Sequence, residues 1–234
     1  MQKLVNYCNE IGVTLDDKAL DRFEKYMNIV IEWNEKINLT SITDRDEFIV
    51  KHFCDSLSLL GMLDLENGAS MIDIGTGAGF PAIPLKIARP DLNITMLDSL
   101  NKRMVFIKEH VLPTLGLEAE VIHGRAEELS KTKEYRESFD FAVSRAVANL
   151  SALSEYCIPF VKVGGTFAAM KGPDCKEEVG AAENAIETLG GELSDILSFK
   201  LPDDSGRCIV VIDKTEKTPA KYPRRGVKIN KSPL

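Results

Sequence analysis

Apolar residues near the start of the chain recur at helical spacing. Leu4, Val5, Cys8 and Ile11 share one face before Gly12, and Leu20, Phe23, Met27 and Val30 follow with the same period. Two amphipathic helices are predicted there. Thr43 followed by Asp46 resembles an N-terminal cap, and Phe48, Ile49, Phe53, Leu57 and Leu60 mark a third helix ending near Gly61. From Ser70 the pattern changes, and short runs rich in β-branched residues alternate with amphipathic stretches. Strands are expected near 70–74, 93–97, 119–123, 139–143 and 164–170, with helices near 80–88, 101–115, 125–130, 148–161 and 174–188 between them. That alternation predicts an α/β fold with a mainly parallel sheet flanked by helices. The turn cluster Asp203-Asp204-Ser205-Gly206, set between 193–200 and 207–213, predicts a closing antiparallel hairpin on the sheet edge. The expected division is a helical extension over 1–62, an α/β domain over 63–213 and a C-terminal tail over 214–234.

Composition narrows the class. With 44% hydrophobic and 28% charged residues, the chain has material for a packed core, and its apolar runs are too interrupted to span a bilayer. The segment Met1 to Glu10 lacks the basic start and apolar block of a secretory signal, so a cytoplasmic location is expected. Cys8, Cys54, Cys157, Cys175 and Cys208 show no C-x-x-C pair and no zinc spacing, so free thiols and no metal site are expected. The net charge of −7 is unevenly placed: Lys214 to Leu234 carries seven basic residues against Glu216, or +6, leaving −13 elsewhere. An acidic body with a basic end points to a polyanionic partner. Pro219, Pro223 and Pro233 lead to the expectation of an extended or loosely ordered tail.

The chemistry concentrates at Met71-Ile72-Asp73-Ile74-Gly75-Thr76-Gly77-Ala78-Gly79-Phe80, where a strand enters an acid-led glycine turn. Gly75, Gly77 and Gly79 would let backbone approach a ligand closely. The dinucleotide fingerprint Gly-x-Gly-x-x-Gly needs glycine where this chain has Phe80, which disfavours a nicotinamide cofactor. Asp98 ends the second strand 23 positions after Gly75, where a carboxylate can accept hydrogen bonds from both ribose hydroxyls. Ala126 and Glu127 follow the third strand, where backbone and side chain can meet an adenine edge. Arg145 and Lys171 end the fourth and fifth strands, on the carboxyl edge where open α/β sheets bind ligands.

This order resembles the class I (Rossmann-like) S-adenosylmethionine methyltransferase pattern. Four stretches make the resemblance specific: Trp33-Asn34-Glu35-Lys36-Ile37-Asn38-Leu39-Thr40, Lys51-His52-Phe53-Cys54-Asp55-Ser56, Gly75-Thr76-Gly77-Ala78-Gly79-Phe80-Pro81 and Asn230-Lys231-Ser232-Pro233-Leu234. Together they resemble the bacterial 16S ribosomal RNA guanine-N7 methyltransferase family, also called RsmG or glucose-inhibited division protein B, over essentially the whole chain. The resemblance implies methyl transfer from S-adenosyl-L-methionine to N7 of a guanine in the 530-loop region of small-subunit rRNA. It also implies cofactor contacts at Gly75, Phe80, Asp98, Ala126, Glu127 and Arg145.

Guanine N7 presents an in-plane lone pair, so its methylation needs no general base, and alignment and placed dipoles should dominate. The exit Ser144-Arg145-Ala146 lacks the Asn-Pro-Pro-aromatic motif of amino-group methyltransferases and the Pro-Cys of cytosine-carbon ones, in keeping with a ring nitrogen. Arg145 and Lys171, with Arg125 helping, are expected to hold the guanine or its phosphates. His52 and Asp55, one turn apart, either shape the target pocket or stabilise a helix. RNA contacts are expected from Arg125, Arg224, Arg225 and Lys228, with Tyr222 offering stacking, and the protein is expected to act as a monomer on 16S rRNA or the small subunit, with no membrane partner. A small-molecule methyltransferase or a non-catalytic RNA-binding module would use only part of these features.

Overall fold

The computed structural model describes all 234 residues except Ala146 and Val147. Helices α1 (Gln2–Glu10) and α2 (Asp17–Ile37) open the chain, α2 being capped by the Asp16 carboxylate on the Ala19 amide. Next comes α3 (Arg45–Phe48), continued by a π-helical segment, Ile49–Cys54, into α4 (Asp55–Met62). The cap of α3 is Asp44, which accepts from the Glu47 amide, and not Thr43 as its spacing predicts. Instead Thr40 and Asn34 organise the preceding loop: Asn34 Oδ1 accepts from the Leu39 and Thr40 amides at 2.7 and 2.8 Å.

Strand β1 (Ser70–Ile74) leads through the glycine turn into α5 (Ala82–Ala88), then β2 (Asn93–Asp98) and α6 (Asn101–Phe106). A second π-helical segment, Ile107–Val111, joins α6 to α7 (Leu112–Leu115), which is followed by β3 (Glu120–His123) and α8 (Ala126–Leu129). The chain continues through β4 (Phe139–Arg145), α9 (Leu150–Cys157) with a 3₁₀ turn over Ile158–Phe160, β5 (Val161–Lys171) and α10 (Lys176–Thr188). The hairpin β6 (Gly191–Lys200) and β7 (Gly206–Lys214) and a last helix, α11 (Gly226–Lys231), complete it. Ala146 and Val147, on which the expected exit after Arg145 falls, lie outside the described residues.

The seven strands form one sheet in the order β3-β2-β1-β4-β5-β7-β6, parallel through β5 and antiparallel for the hairpin. The order turns at β1, which pairs with β2 on one side and β4 on the other, so their carboxyl ends frame a crevice. Each face carries a hydrophobic core. On one, Phe23, Tyr26, Phe48, Phe53 and Leu57 from the N-terminal helices merge with Met71, Ile83 and Val143. On the other, Leu153, Cys157 and Ile186 pack with Ile72, Phe167 and Ile212, and Tyr222 and Ile229 of the tail join them.

Two expectations are corrected. Cys175 and Cys208 are joined as a disulfide across a sequence separation of 33, while Cys8, Cys54 and Cys157 remain free and buried. Topology rather than spacing pairs them, because Cys208 lies opposite Lys171 in the β5–β7 ladder and Cys175 follows β5 directly. The tail is neither extended nor loose. Arg136 donates to the carbonyls of Thr218 and Tyr222 at 2.8 and 3.0 Å, and Tyr222 and Ile229 are buried. Two of its cations serve inside the fold: Lys214 is buried against the Leu189 carbonyl and Glu137, and Arg224 is paired with the buried Glu155. Among the described residues, no helix is long and apolar enough to cross a membrane.

Candidate active site

A cleft of about 420 Å³ opens at the carboxyl ends of β1 to β4. It is lined by Ile74 and Gly75 at the end of β1, Leu97 and Asp98 at the end of β2, Gly124 to Glu127 after β3 and Arg145 at the end of β4. Of the residues expected to hold a cofactor, Gly75, Asp98, Ala126, Glu127 and Arg145 line it, as does Arg125. Asp98 accepts from the Gly77 amide at 3.0 Å, the Leu100 amide at 2.8 Å and Arg103 at 3.3 Å. Its carboxylate thus braces the glycine turn from the next strand.

Asp73, Gly77, Gly79 and Phe80 lie behind the cleft surface. Asp73 is wholly buried; its Oδ2 accepts from the Thr76 hydroxyl at 2.6 Å and the Ala82 amide at 3.3 Å, tying the turn to the start of α5. Burial pushes its carboxyl up to about 7, against the opposing pull of the Thr76 hydroxyl. Asp73 Oδ1 is buried without a hydrogen-bond partner. Gly77 has φ of 63° and donates to Asp98, whereas Gly79, at φ of 109°, answers to packing. A Cβ on Gly79 would stand 2.6 Å from Ile83 Cγ1 and 2.9 Å from the Tyr26 hydroxyl. Tyr26 itself donates to the Ala78 carbonyl at 2.9 Å, so α2 buttresses the turn from outside the sheet.

Phe80 is a buried platform. Its ring stacks on His52 at 4.4 Å and 13°, meets Tyr26 and Phe48 edge-on or tilted, and lies 5.1 Å beneath the Arg145 guanidinium. Arg145 donates to the Lys51 carbonyl at 3.0 Å, to Asp55 Oδ2 at 2.9 Å and to His52 Nδ1 at 3.1 Å. A guanidinium can only donate, so His52 Nδ1 accepts, and Nε2 carries the proton toward the Thr40 hydroxyl 2.8 Å away. Burial, with Arg145 adding to it, pushes the His52 pKa down to about 3, and the ring is neutral. Asp55 is shared, for its Oδ1 lies 3.2 Å from Arg207 Nε on β7. His52 and Asp55 therefore act together on Arg145, a role that their spacing only hinted at.

Lys171 is not brought to the cleft. Its Nζ donates to the Ala148 carbonyl at 2.7 Å and to Glu178 at 2.8 Å, clamping β5 to α10 with its side chain 9% exposed. Arg224 likewise turns inward, with its guanidinium on Glu155 at 2.7 Å, and its side chain is 15% exposed. Arg125, Arg225 and Lys228 stay exposed, and Arg125 and Arg225 line a groove beside the cleft together with Lys131, Glu127 and Glu128. Sequence reasoning missed Arg103, Tyr156 and Asn230 as cleft residues. Only Asn230 carried any signal, through its place in the Asn230-Lys231-Ser232-Pro233-Leu234 motif.

The chain is similar to known proteins in fold and in sequence. The chain resembles a solved S-adenosylmethionine-dependent methyltransferase from Aquifex aeolicus, with a TM-score of 0.52 at 18% identity over 72% of this chain and 93% of that one. At that identity the likeness shows the fold. In sequence it is 49% identical to the ribosomal RNA small subunit methyltransferase G of Alkaliphilus metalliredigens, covering 97% of this chain and 95% of that protein. It is 51% identical to the protein of the same name from Desulforamulus reducens, over 96% of this chain and 94% of that protein. The model of the GidB family, described as rRNA small subunit methyltransferase G, matches residues 19–206, and the chain belongs to that family.

Proposed function

We propose that the protein transfers a methyl group from S-adenosylmethionine to N7 of a guanine in the 530-loop region of 16S rRNA, acting in the cytoplasm as a monomer. The observation that carries this reading is the cleft itself, with Asp98 and Glu127 toward one end and Arg145 held over Phe80 at the other. The residues present fit the cofactor. Asp98 stands at the end of the second strand, where a carboxylate takes ribose hydroxyls, and the buried Asp73 Oδ1 behind the turn is without a hydrogen-bond partner. When bound, the cofactor supplies an electrophilic sulfonium methyl.

The chain's own residues then have a limited task. Asp98 and Glu127 hold and orient, and the walls of Ile74, Leu97 and Tyr156 exclude water. Arg145, fixed by Asp55, His52 and the Lys51 carbonyl, places an immobile cation where the guanine is received. Because O6 of guanine is an acceptor beside N7, a guanidinium at this point orients the base while leaving the N7 lone pair available. His52 is a neutral acceptor already engaged at both nitrogens, so it positions Arg145 and takes no proton. Alignment of this kind supplies on the order of 7 kcal/mol or more of a barrier.

Arg125 and Arg225, in the groove beside the cleft, and the exposed Lys228 of α11 take the RNA phosphates in this reading. The test is methylation of small-subunit rRNA or subunits lacking the mark, followed by mapping of the modified base. Label at guanine N7 in the 530-loop region is expected; label on an exocyclic amine or on another region would overturn the reading.

A further inference from the structure

The C-terminal helix does not hang beside the catalytic fold; it supplies part of the cleft wall. Asn230, on α11, lines the cleft together with Gly124, Ala126, Glu127 and Tyr156. Five contacts hold that helix in place. Arg224 pairs with Glu155, which is fully buried, and the Arg224 amide donates to the same carboxylate at 2.6 Å. Ile229 is wholly buried, and the Tyr156 hydroxyl donates to Asn230 Oδ1 at 3.1 Å. Gly226 is pressed so closely on Glu127 that an added Cβ would stand 2.2 Å from Glu127 Oε1.

We infer that Asn230 is a cofactor-binding residue, its carboxamide nitrogen donating to the purine of the adenosyl group, so that the cofactor site is complete only when the tail is docked. The inference rests on the reading of the cleft as an S-adenosylmethionine site. With Tyr156 donating to Oδ1, the Asn230 Nδ2 is left to donate, and among the described residues no hydrogen bond engages it. Its position along the cleft assigns the partner. In a doubly wound sheet the glycine turn follows the first strand, the ribose acid ends the second, and the base extends toward the third. Gly226 and Asn230 are four residues apart and so share one face of α11, and Gly226 lies on Glu127, just after β3. Asn230 therefore stands at the purine end, where ring nitrogens are acceptors that neither Glu127 nor Asp98 can satisfy as carboxylates.

The test is calorimetric binding of S-adenosylhomocysteine and of 5′-methylthioadenosine to the full chain and to four variants. Asn230→Ala removes the side chain, and Asn230→Asp keeps an acceptor for Tyr156 while removing the donor. Tyr156→Phe releases Asn230 from its anchor, and Lys231→Ala controls for disturbance of the helix. Both Asn230 variants should weaken each ligand about tenfold, the scale of one lost polar contact, with a smaller loss for Tyr156→Phe and none for Lys231→Ala. Melting of the ligand-free proteins should agree among Asn230→Asp, Lys231→Ala and the parent, so that the loss belongs to binding. Parental affinity in both Asn230 variants would overturn the inference while leaving the cofactor reading intact. A loss confined to S-adenosylhomocysteine would also overturn it, since 5′-methylthioadenosine keeps the adenosine and lacks only the amino-acid part. Failure of the parent chain to bind either ligand would overturn the cofactor reading and the assignment with it.

Discussion

Arg145 and Asp55 meet at 2.9 Å across 90 positions of sequence, and the second oxygen of the same carboxylate lies 3.2 Å from Arg207. One nearly buried acid thus balances two guanidiniums, one of them facing the cleft. Removing it should leave two cations without a counter-charge. Asp55→Ala is expected to cost about 3 kcal/mol of stability. It should also slow single-turnover methylation more than Asp55→Asn, which still accepts from Arg145. Equal rates in the two variants would show that Asp55 does not orient Arg145.

Arg145→Ala should lower the single-turnover methylation rate by about a hundredfold, on the scale of losing one positioned charged donor. Its affinity for S-adenosylhomocysteine should change less, because Asp98 and Glu127 remain in place. An unchanged methylation rate would remove Arg145 from the site.

The pH dependence of His52 has a definite sign. Its pKa is held at about 3 in the fold against an ordinary 6.5, so between those values the unfolded chain binds more protons than the native one. Stability should therefore fall as pH drops through that window. His52→Gln should flatten this slope in melting curves. A His52 contribution to stability that grows on acidification would contradict a buried neutral ring.

Asp73 titrates in the opposite sense. Burial raises its carboxyl to about 7, so near neutrality it is divided between its neutral and charged forms. A cofactor with net positive charge favours the charged form, and its binding should expel protons. Affinity for S-adenosylmethionine should rise from about pH 6 to about pH 8, and Asp73→Asn should lose that rise. Calorimetry in buffers of different ionisation enthalpy reads the proton release directly; none in the parent chain would refute the coupling.

Two adjacent tail arginines should separate cleanly. Arg224→Ala strands the fully buried Glu155 and is expected to cost about 3 kcal/mol. Arg225→Ala should leave the melting temperature unchanged while weakening RNA binding and its salt dependence. A stable Arg224→Ala protein would mean that the tail is not anchored through this pair.

The sheet was largely legible in the sequence because apolar strand-like runs alternate with amphipathic stretches from Ser70 onward. Even the closing hairpin announced itself through Asp203-Asp204-Ser205-Gly206. The cleft was legible at Gly75, Asp98, Ala126, Glu127 and Arg145, whose places follow from strand ends. What escaped depends on contacts between distant segments. Lys171 sits at a strand end like Arg145, yet its ammonium is taken up by Glu178 on the next helix and by the Ala148 carbonyl. Gly79 reads as a ligand glycine, but Tyr26 and Ile83 set its requirement. Arg224 counts toward a basic tail until the buried Glu155, 69 positions earlier, neutralises it. No local pattern distinguishes a charge that will face water from one that will be met inside.

The shared carboxylate of Asp55 joins parts of the chain that are made at different times. Asp55 emerges from the ribosome first and Arg145 after it, but Arg207 belongs to the late hairpin. A nascent chain that has made the glycine turn and the parallel strands still lacks the second cation that fixes Asp55. The setting of Arg145 is finished only when β7 pairs with β5, so a chain made only as far as β5 has the glycine turn without the completed ion cluster.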